Sequence, residues 1–204
     1  MIDNYAKIAK ANLENLYAAL PADLAENLPA RQEGDQFIFE AFGETCTISP
    51  EAIKIGDGSH PTVLEILISL YALHAKPEQP VLQPFKSYKD FPDSMPYVAA
   101  FTSHTEQLLA PHVSAIAASV SEIKDVLKGE DAPAEVSGDF SFLVYPLPKI
   151  ALCYIFYEAD EDFPASCTCL FSNNAGVFLP VDALADVGEY TSRKIMRLSA
   201  LNYT

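Results

Sequence analysis

The chain has 204 residues, half of them hydrophobic and 11% aromatic, with a formal net charge of −15. That length fits one domain able to bury a sizeable core, and a charged content of 20% argues against a disordered acidic tail. The excess of acid repels phosphate backbones and anionic lipid heads, which argues against nucleic acid or a membrane as partner.

In chain order, Tyr5, Ile8, Ala9, Leu13, Leu16, Tyr17 and Leu20 recur at helical spacing. They predict a helix over residues 1–20, peripheral to the rest and closed by Pro21. Leu24 and Leu28 add a turn. Phe37–Phe42 and Thr45–Ile48, rich in aromatic and β-branched residues, predict a hairpin turning at Gly43-Glu44. Ser59 or His60 leads into Pro61, which suits a first helical position, and Val63, Leu64, Leu67, Ile68, Tyr71 and Leu73 mark a helix buried on several sides. Residues 76–96 hold five prolines and are expected as an ordered irregular loop. A helix follows from Met95 to Leu109, then a break at Pro111, then a second helix through Val113, Ile116, Val120, Ile123 and Leu127. Gly129 is its expected C′ residue.

The last third changes period. Phe140–Tyr145, Ile150–Tyr157 and Ser166–Phe171 read as strands, with Gly176–Leu179 as a short fourth. Pro180 opens a helix containing Leu184 and Val187, and Arg193, Lys194 and Arg197 suit the C-terminal end of its dipole. Helices on either side of such strands predict an α+β fold. Its antiparallel sheet, mainly C-terminal strands plus the N-terminal hairpin, packs against several helices in a single domain spanning 1–204.

Several segments together resemble an uncharacterised prokaryotic family, domain of unknown function 3786. They are Leu67–Leu73, Phe85–Phe91 with Tyr97 and Phe101, Leu147-Pro148-Lys149, the strand to Tyr157, Asp160–Pro164, Leu170-Phe171-Ser172 and Phe178-Leu179-Pro180. The resemblance covers roughly residues 35 to 190. It implies a fold and an anaerobic or strictly reducing physiology, and it supplies no catalytic residue. The chain departs from the family in having no tryptophan and in carrying Ser172 where an aspartate is common.

Chemistry-bearing clusters are few. Four cysteines, Cys46, Cys153, Cys167 and Cys169, make no disulfide framework, and reduced thiols in a cytoplasm are expected. Cys167 and Cys169 share a strand face, and Cys153 across a hairpin would make a three-thiol patch suited to a soft metal. Small buried core residues are the favoured reading. Glu158, Asp160, Glu161 and Asp162 crowd one connection that reads as a solvated hairpin tip; a cation or a shared proton is the alternative. His104 and His112 stand too far apart on a helix, about 12 Å, to share one metal. On the long loop, Phe85, Lys86, Tyr88, Lys89 and Tyr97 could line a small-molecule site, although the same aromatics would also pin the loop to the body.

No nucleophile elbow, phosphate loop, zinc-protease helix or dinucleotide fingerprint occurs. The expectation is a soluble non-catalytic binding or accessory protein for a small molecule or a protein partner, with no cofactor named. The alternative is a small-molecule enzyme using carboxylates such as Asp160 or Asp162, and a structural homodimer is a third reading.

Overall fold

Residues 31–55 form an antiparallel meander of four strands: β1 (Arg31–Glu33), β2 (Gln36–Ala41), β3 (Glu44–Ile48) and β4 (Ile53–Ile55). The computed structural model describes residues 4–58 and 60–201, so residues 1–3 of the first expected helix and Ser59 lie outside it. In β2 the period-two pattern buries Phe37, Phe39 and Ala41, and the partner strands add Cys46, Ile48, Ile53 and Ile55 to the same core. The turn is one residue earlier than the sequence predicts. Phe42 (φ 53°) and Gly43 (φ 74°) are its central pair, both left-handed as a tight hairpin requires. Gly43 is obligatory twice over, because a Cβ there would also meet the Val126 carbonyl oxygen at 2.7 Å.

Helix α1 (Asn4–Ala18) and the short α2 (Leu24–Asn27) precede the meander, and α3 (Thr62–Leu73) follows it. Pro61 is the N-cap of α3 rather than its first helical residue. Its buried stripe of Leu64, Leu67, Ile68 and Tyr71 recurs at three- and four-residue spacing, and Tyr71 sits 6.0 Å from the Phe39 ring. Asn12 of α1 donates to Ser69 Oγ of α3 at 2.9 Å.

The second sheet is also antiparallel. It contains β5 (Lys86–Ser87), β6 (Glu130–Asp131), β7 (Phe140–Leu147), β8 (Ile150–Tyr157) and β9 (Ser166–Phe171) in the spatial order β5-β9-β8-β7-β6. The architecture is therefore α+β. Central β8 is buried from Ile150 to Phe156, because both faces are covered. One face carries Phe142, Tyr154, Phe156, Cys167, Cys169 and Phe171 into the main core; the other carries Leu143, Cys153 and Ile155 under Leu82, Phe85, Ala132 and Val136. The two sheets meet where the Phe42 N–H donates to the Pro146 carbonyl at 2.7 Å, beside an irregularity in β7.

The helix expected from Met95 to Leu109 is broken into a 3-10 turn, α4 (Val98–Phe101) and a π turn over Thr102–Glu106, whose Gln107 N–H reaches back five residues to Thr102. Gly188 explains the close approach at this turn. A Cβ there would meet Phe101 at 2.6 Å and Thr105 Oγ1 at 3.0 Å. The next helix is split at buried Ser119 into α5 (Val113–Ala118) and α6 (Val120–Val126). Its left-handed terminal residue is Lys128 (φ 54°), not Gly129. Gly129 has a different use, since a Cβ on it would collide with the Leu143 carbonyl of β7.

The expected fourth strand at Gly176–Leu179 is absent among the described residues. A 3-10 turn occupies Ala175–Val177 instead, with Val177 N–H bonded to Asn174 three residues back. Helix α7 (Val181–Leu201) then crosses the molecule, burying Ala183, Leu184, Val187, Thr191, Ser192, Ile195, Leu198 and Ser199. Among the described residues no helix is long and apolar enough to cross a membrane.

Candidate functional site

The exposed side of α7 changes sign along its length. Asp182, Asp186 and Glu189 come first; Arg193, Lys194 and Arg197 follow at the positions i, i+1 and i+4 that share one helix face. The basic half looks into a cavity of about 120 Å³ at the seam of the meander, the start of α3 and α7. Its apolar floor is Phe42, Ile55 and Leu64, with Tyr190 beside Phe42 in an edge contact at 6.4 Å. His60, Arg193, Lys194 and Arg197 supply the polar rim together with Glu44.

Ion pairs within this rim are uneven. Lys194 Nζ donates to Glu44 Oε1 at 2.7 Å, and Arg193 is held by Glu189 one helical turn away at 2.8 Å. Arg197 is exposed and makes no ion pair among the described residues. His60 Nε2 lies 3.2 Å from Glu65 Oε1 but outside hydrogen-bonding geometry, so both buried ring nitrogens lack a hydrogen-bond partner among the described residues. Such a group is costly unless something bonds it.

The residues singled out on the long loop do not converge on this cavity or on one another. Tyr88 is buried, stacks on Phe101 at 4.4 Å and donates to the Val181 carbonyl at 2.8 Å. Lys86 pairs with Phe171 in the sheet, and its ammonium lies 5.6 Å over the Phe91 ring. Phe85 lines a hollow on the outer face of the second sheet with Pro84, Val136 and Leu170. Lys89 is exposed, and Tyr97 lines a groove at the acidic half of α7. Asp160 and Asp162 sit at the β8–β9 tip, where Asp160 Oδ1 accepts from the Asp162 and Phe163 N–H groups. That tip precedes Ser166, whereas Lys86 pairs at Phe171, the far end of β9. Five residues of strand, about 17 Å, separate them. Of the loop aromatics, Tyr88 and Phe91 are buried and anchor the loop to the body.

Strand register also separates the thiols. Cys169 lies opposite Tyr154 and Cys153 opposite Leu170, so Cys153 belongs to the outer cluster while Cys167 and Cys169 face the main core. All four cysteines are buried and free. Burial pushes Cys46 up to about 12 and Cys153 up to about 11, and raises Cys167 and Cys169 as well. Among the described residues no three His, Cys, Asp or Glu side chains are grouped to hold a metal ion.

Two further titratable groups lie inside. Glu106, at the end of the π turn, accepts the Cys169 N–H at 3.0 Å, and burial raises its carboxyl. Asp186 is raised to about 6 by burial and by neighbouring Glu189 and Asp182. It faces the groove lined by Tyr97, Phe101 and His104, and His104 Nδ1 is 3.1 Å from Glu189 Oε2. Arg193, Lys194 and Arg197 were legible in the sequence only as dipole partners. The available signal was three of thirteen basic residues within five positions of a chain so rich in acid.

Fold and site together define an α+β protein with a small, cation-rimmed pocket between a β-meander and its C-terminal helix. Over residues 21–194 the chain matches the family described as Domain of unknown function (DUF3786), and it belongs to that family. The matched span takes in His60, Arg193 and Lys194 and ends just short of Arg197. No curated protein and no solved structure matches the chain.

Proposed function

We propose that this protein is a non-catalytic module that binds a small organic anion in the pocket between the meander and α7. One observation carries the reading: in a chain of net charge −15, three of its thirteen Lys and Arg side chains gather with His60 around a single apolar-floored cavity. Apolar walls with a few convergent polar groups are the usual form of a small-ligand site. A small-molecule partner is favoured over nucleic acid, because the remaining surface repels phosphate backbones. Four buried free thiols suit a reducing compartment such as the cytoplasm.

Thermal unfolding with benzoate, acetate and inorganic phosphate tests this. A ligand present at a hundred times its Kd adds about 2.7 kcal/mol, or roughly 5–10 °C for a chain of this size. Arg197→Gln, on an exposed position, removes most of that rise for the anion that binds best. If none of the three raises the wild-type midpoint at millimolar concentration, the reading is wrong.

A second reading, a carboxylate-based enzyme, rests on Asp186 rather than Asp160 or Asp162. A carboxyl near 6 beside a His104–Glu189 pair, facing a groove, has the titration range of a general acid or base. Turnover of any metabolite that Asp186→Asn abolishes without changing substrate binding would favour this reading over the first.

A further inference from the structure

We infer that Glu44 sets the charge of the ligand, so that the pocket selects a monoanion with a single-ring apolar body and rejects dianions of the same shape. This rests on the anion-binding reading above and adds the ligand class. Three Lys and Arg side chains line the cavity, but Glu44 pairs with Lys194 and Glu189 with Arg193, so among the described residues Arg197 is the one of the three with no ion pair, left to meet an incoming anion.

Glu44 is held in that role. It begins β3, immediately after the tight Phe42-Gly43 turn, and its carboxylate lies against the backbone of Gly56 at the end of β4. Gly56 adopts φ 60°, and a Cβ there would collide with Glu44 Oε2. The carboxylate therefore lies between the backbone of Gly56 and the Lys194 ammonium. A second negative charge on the ligand would meet Glu44 with no further unpaired Lys or Arg among the described lining residues to offset it. Like charges at this range are unfavourable by an amount that decides specificity.

Size sets the other half of the class. A dry apolar cavity of roughly 150 Å³ accommodates benzene, and the volume here is about 120 Å³. The body is thus one ring or a branched chain of similar bulk, held by Phe42, Ile55 and Leu64. Its carboxylate projects to Arg197, and the His60 ring nitrogens, which make no hydrogen bond among the described residues, lie within the same rim. Nucleotides and two-ring compounds exceed the volume that the cavity encloses.

Calorimetric titration of the full chain at pH 7.5 with benzoate, phenyl phosphate and 2-naphthoate tests the inference. Phenyl phosphate is largely a dianion there, its second pKa being about 6. Wild type is expected to bind benzoate at least tenfold more tightly than either other probe. In Glu44→Gln, phenyl phosphate gains at least tenfold while 2-naphthoate stays weak. Lys194→Met tests the same charge count from the other side: Glu44 then opposes Arg197, and benzoate loses at least tenfold. Equal affinity of wild type for benzoate and phenyl phosphate, unchanged in Glu44→Gln, overturns the charge rule and leaves the anion pocket standing. Tight 2-naphthoate binding overturns the size limit. Absence of binding by all three probes to wild type overturns both this inference and the reading beneath it.

Discussion

Lys149 is 2% exposed, yet it carries an ammonium group. Its Nζ donates to the Lys76 carbonyl at 2.6 Å and the Glu78 carbonyl at 3.0 Å, and lies 5.6 Å over the Phe178 ring. Its backbone N–H donates to Tyr71 OH at 3.1 Å. Burial pushes the ammonium below the ordinary lysine value while Glu78 pulls it back, so the charge itself is not comfortable there. Lys149→Met keeps the stem and removes the charge. A buried ion replaced by a hydrophobe is often neutral or stabilising, but that result holds when both partners are replaced. Here the acceptors are main-chain carbonyls, which no substitution removes. Two hydrogen bonds to a charged donor, each worth about 1.5–3 kcal/mol, set against the relief of desolvation, give a net loss of about 3 kcal/mol. For a chain of this length that lowers the melting midpoint by roughly 6–12 °C. Urea titration followed by circular dichroism measures the change, with an unaltered slope. A midpoint equal to or above wild type would show that desolvation outweighs the strap and would refute the reasoning.

Asp186→Asn is expected to stabilise the protein above about pH 6. Its folded carboxyl binds a proton up to about 6 against a reference of 3.8, so wild-type stability falls as pH rises across that window and stays low above it. For a half-buried group, screening limits the effect to about 1 kcal/mol, read as a shallower pH–stability slope in the variant. Gly188→Ala overpacks the contact with Phe101 and Thr105 and costs about 1–3 kcal/mol by thermal melt. The four thiols should resist an aromatic disulfide reagent at pH 8 in the native state and react in denaturant, since burial both covers them and keeps them protonated. Rapid native labelling of two or more would contradict the sheet register that buries them.

The strands were legible where one pattern dominates. Phe37–Phe42 and Thr45–Ile48 are rich in aromatic and β-branched residues, and β8 is a continuous apolar run, so the hairpin and the central strand follow from local composition. Two edge strands of the meander escaped notice for opposite reasons. Arg31–Glu33 is wholly exposed and polar, and Ile53–Ile55 is too short to show a period. The π turn at Thr102–Glu106 left no mark in the apolar spacing. It packs closely against Gly188, more than eighty residues away in sequence. The pocket was hidden likewise, because its rim joins Glu44 to Lys194 across 150 residues. The thiol patch failed by one residue of register: a strand pairing of Cys169 with Tyr154 instead of Cys153 sends the sulfur through to the other side of the sheet. Asn173 and Asn174 read as plain turn residues, yet their side chains clamp the proline-rich loop through Pro84, Val81 and Gln79.

The sign change along α7 has a consequence for traffic to the pocket. A small anion drifting in from bulk water first meets the field of a body with an excess of fifteen negative charges, and is turned away. On the anion-binding reading proposed above, the guanidinium of Arg197 would prevail only inside the final several ångströms. Dissolved electrolyte shortens the reach of the outer repulsion to about 8 Å at physiological strength, so encounters quicken as salt is added, until the same ions begin to compete for the guanidinium itself. Capture should therefore peak at an intermediate ionic strength, the opposite of the steady decline seen when an anion is drawn to a uniformly basic surface.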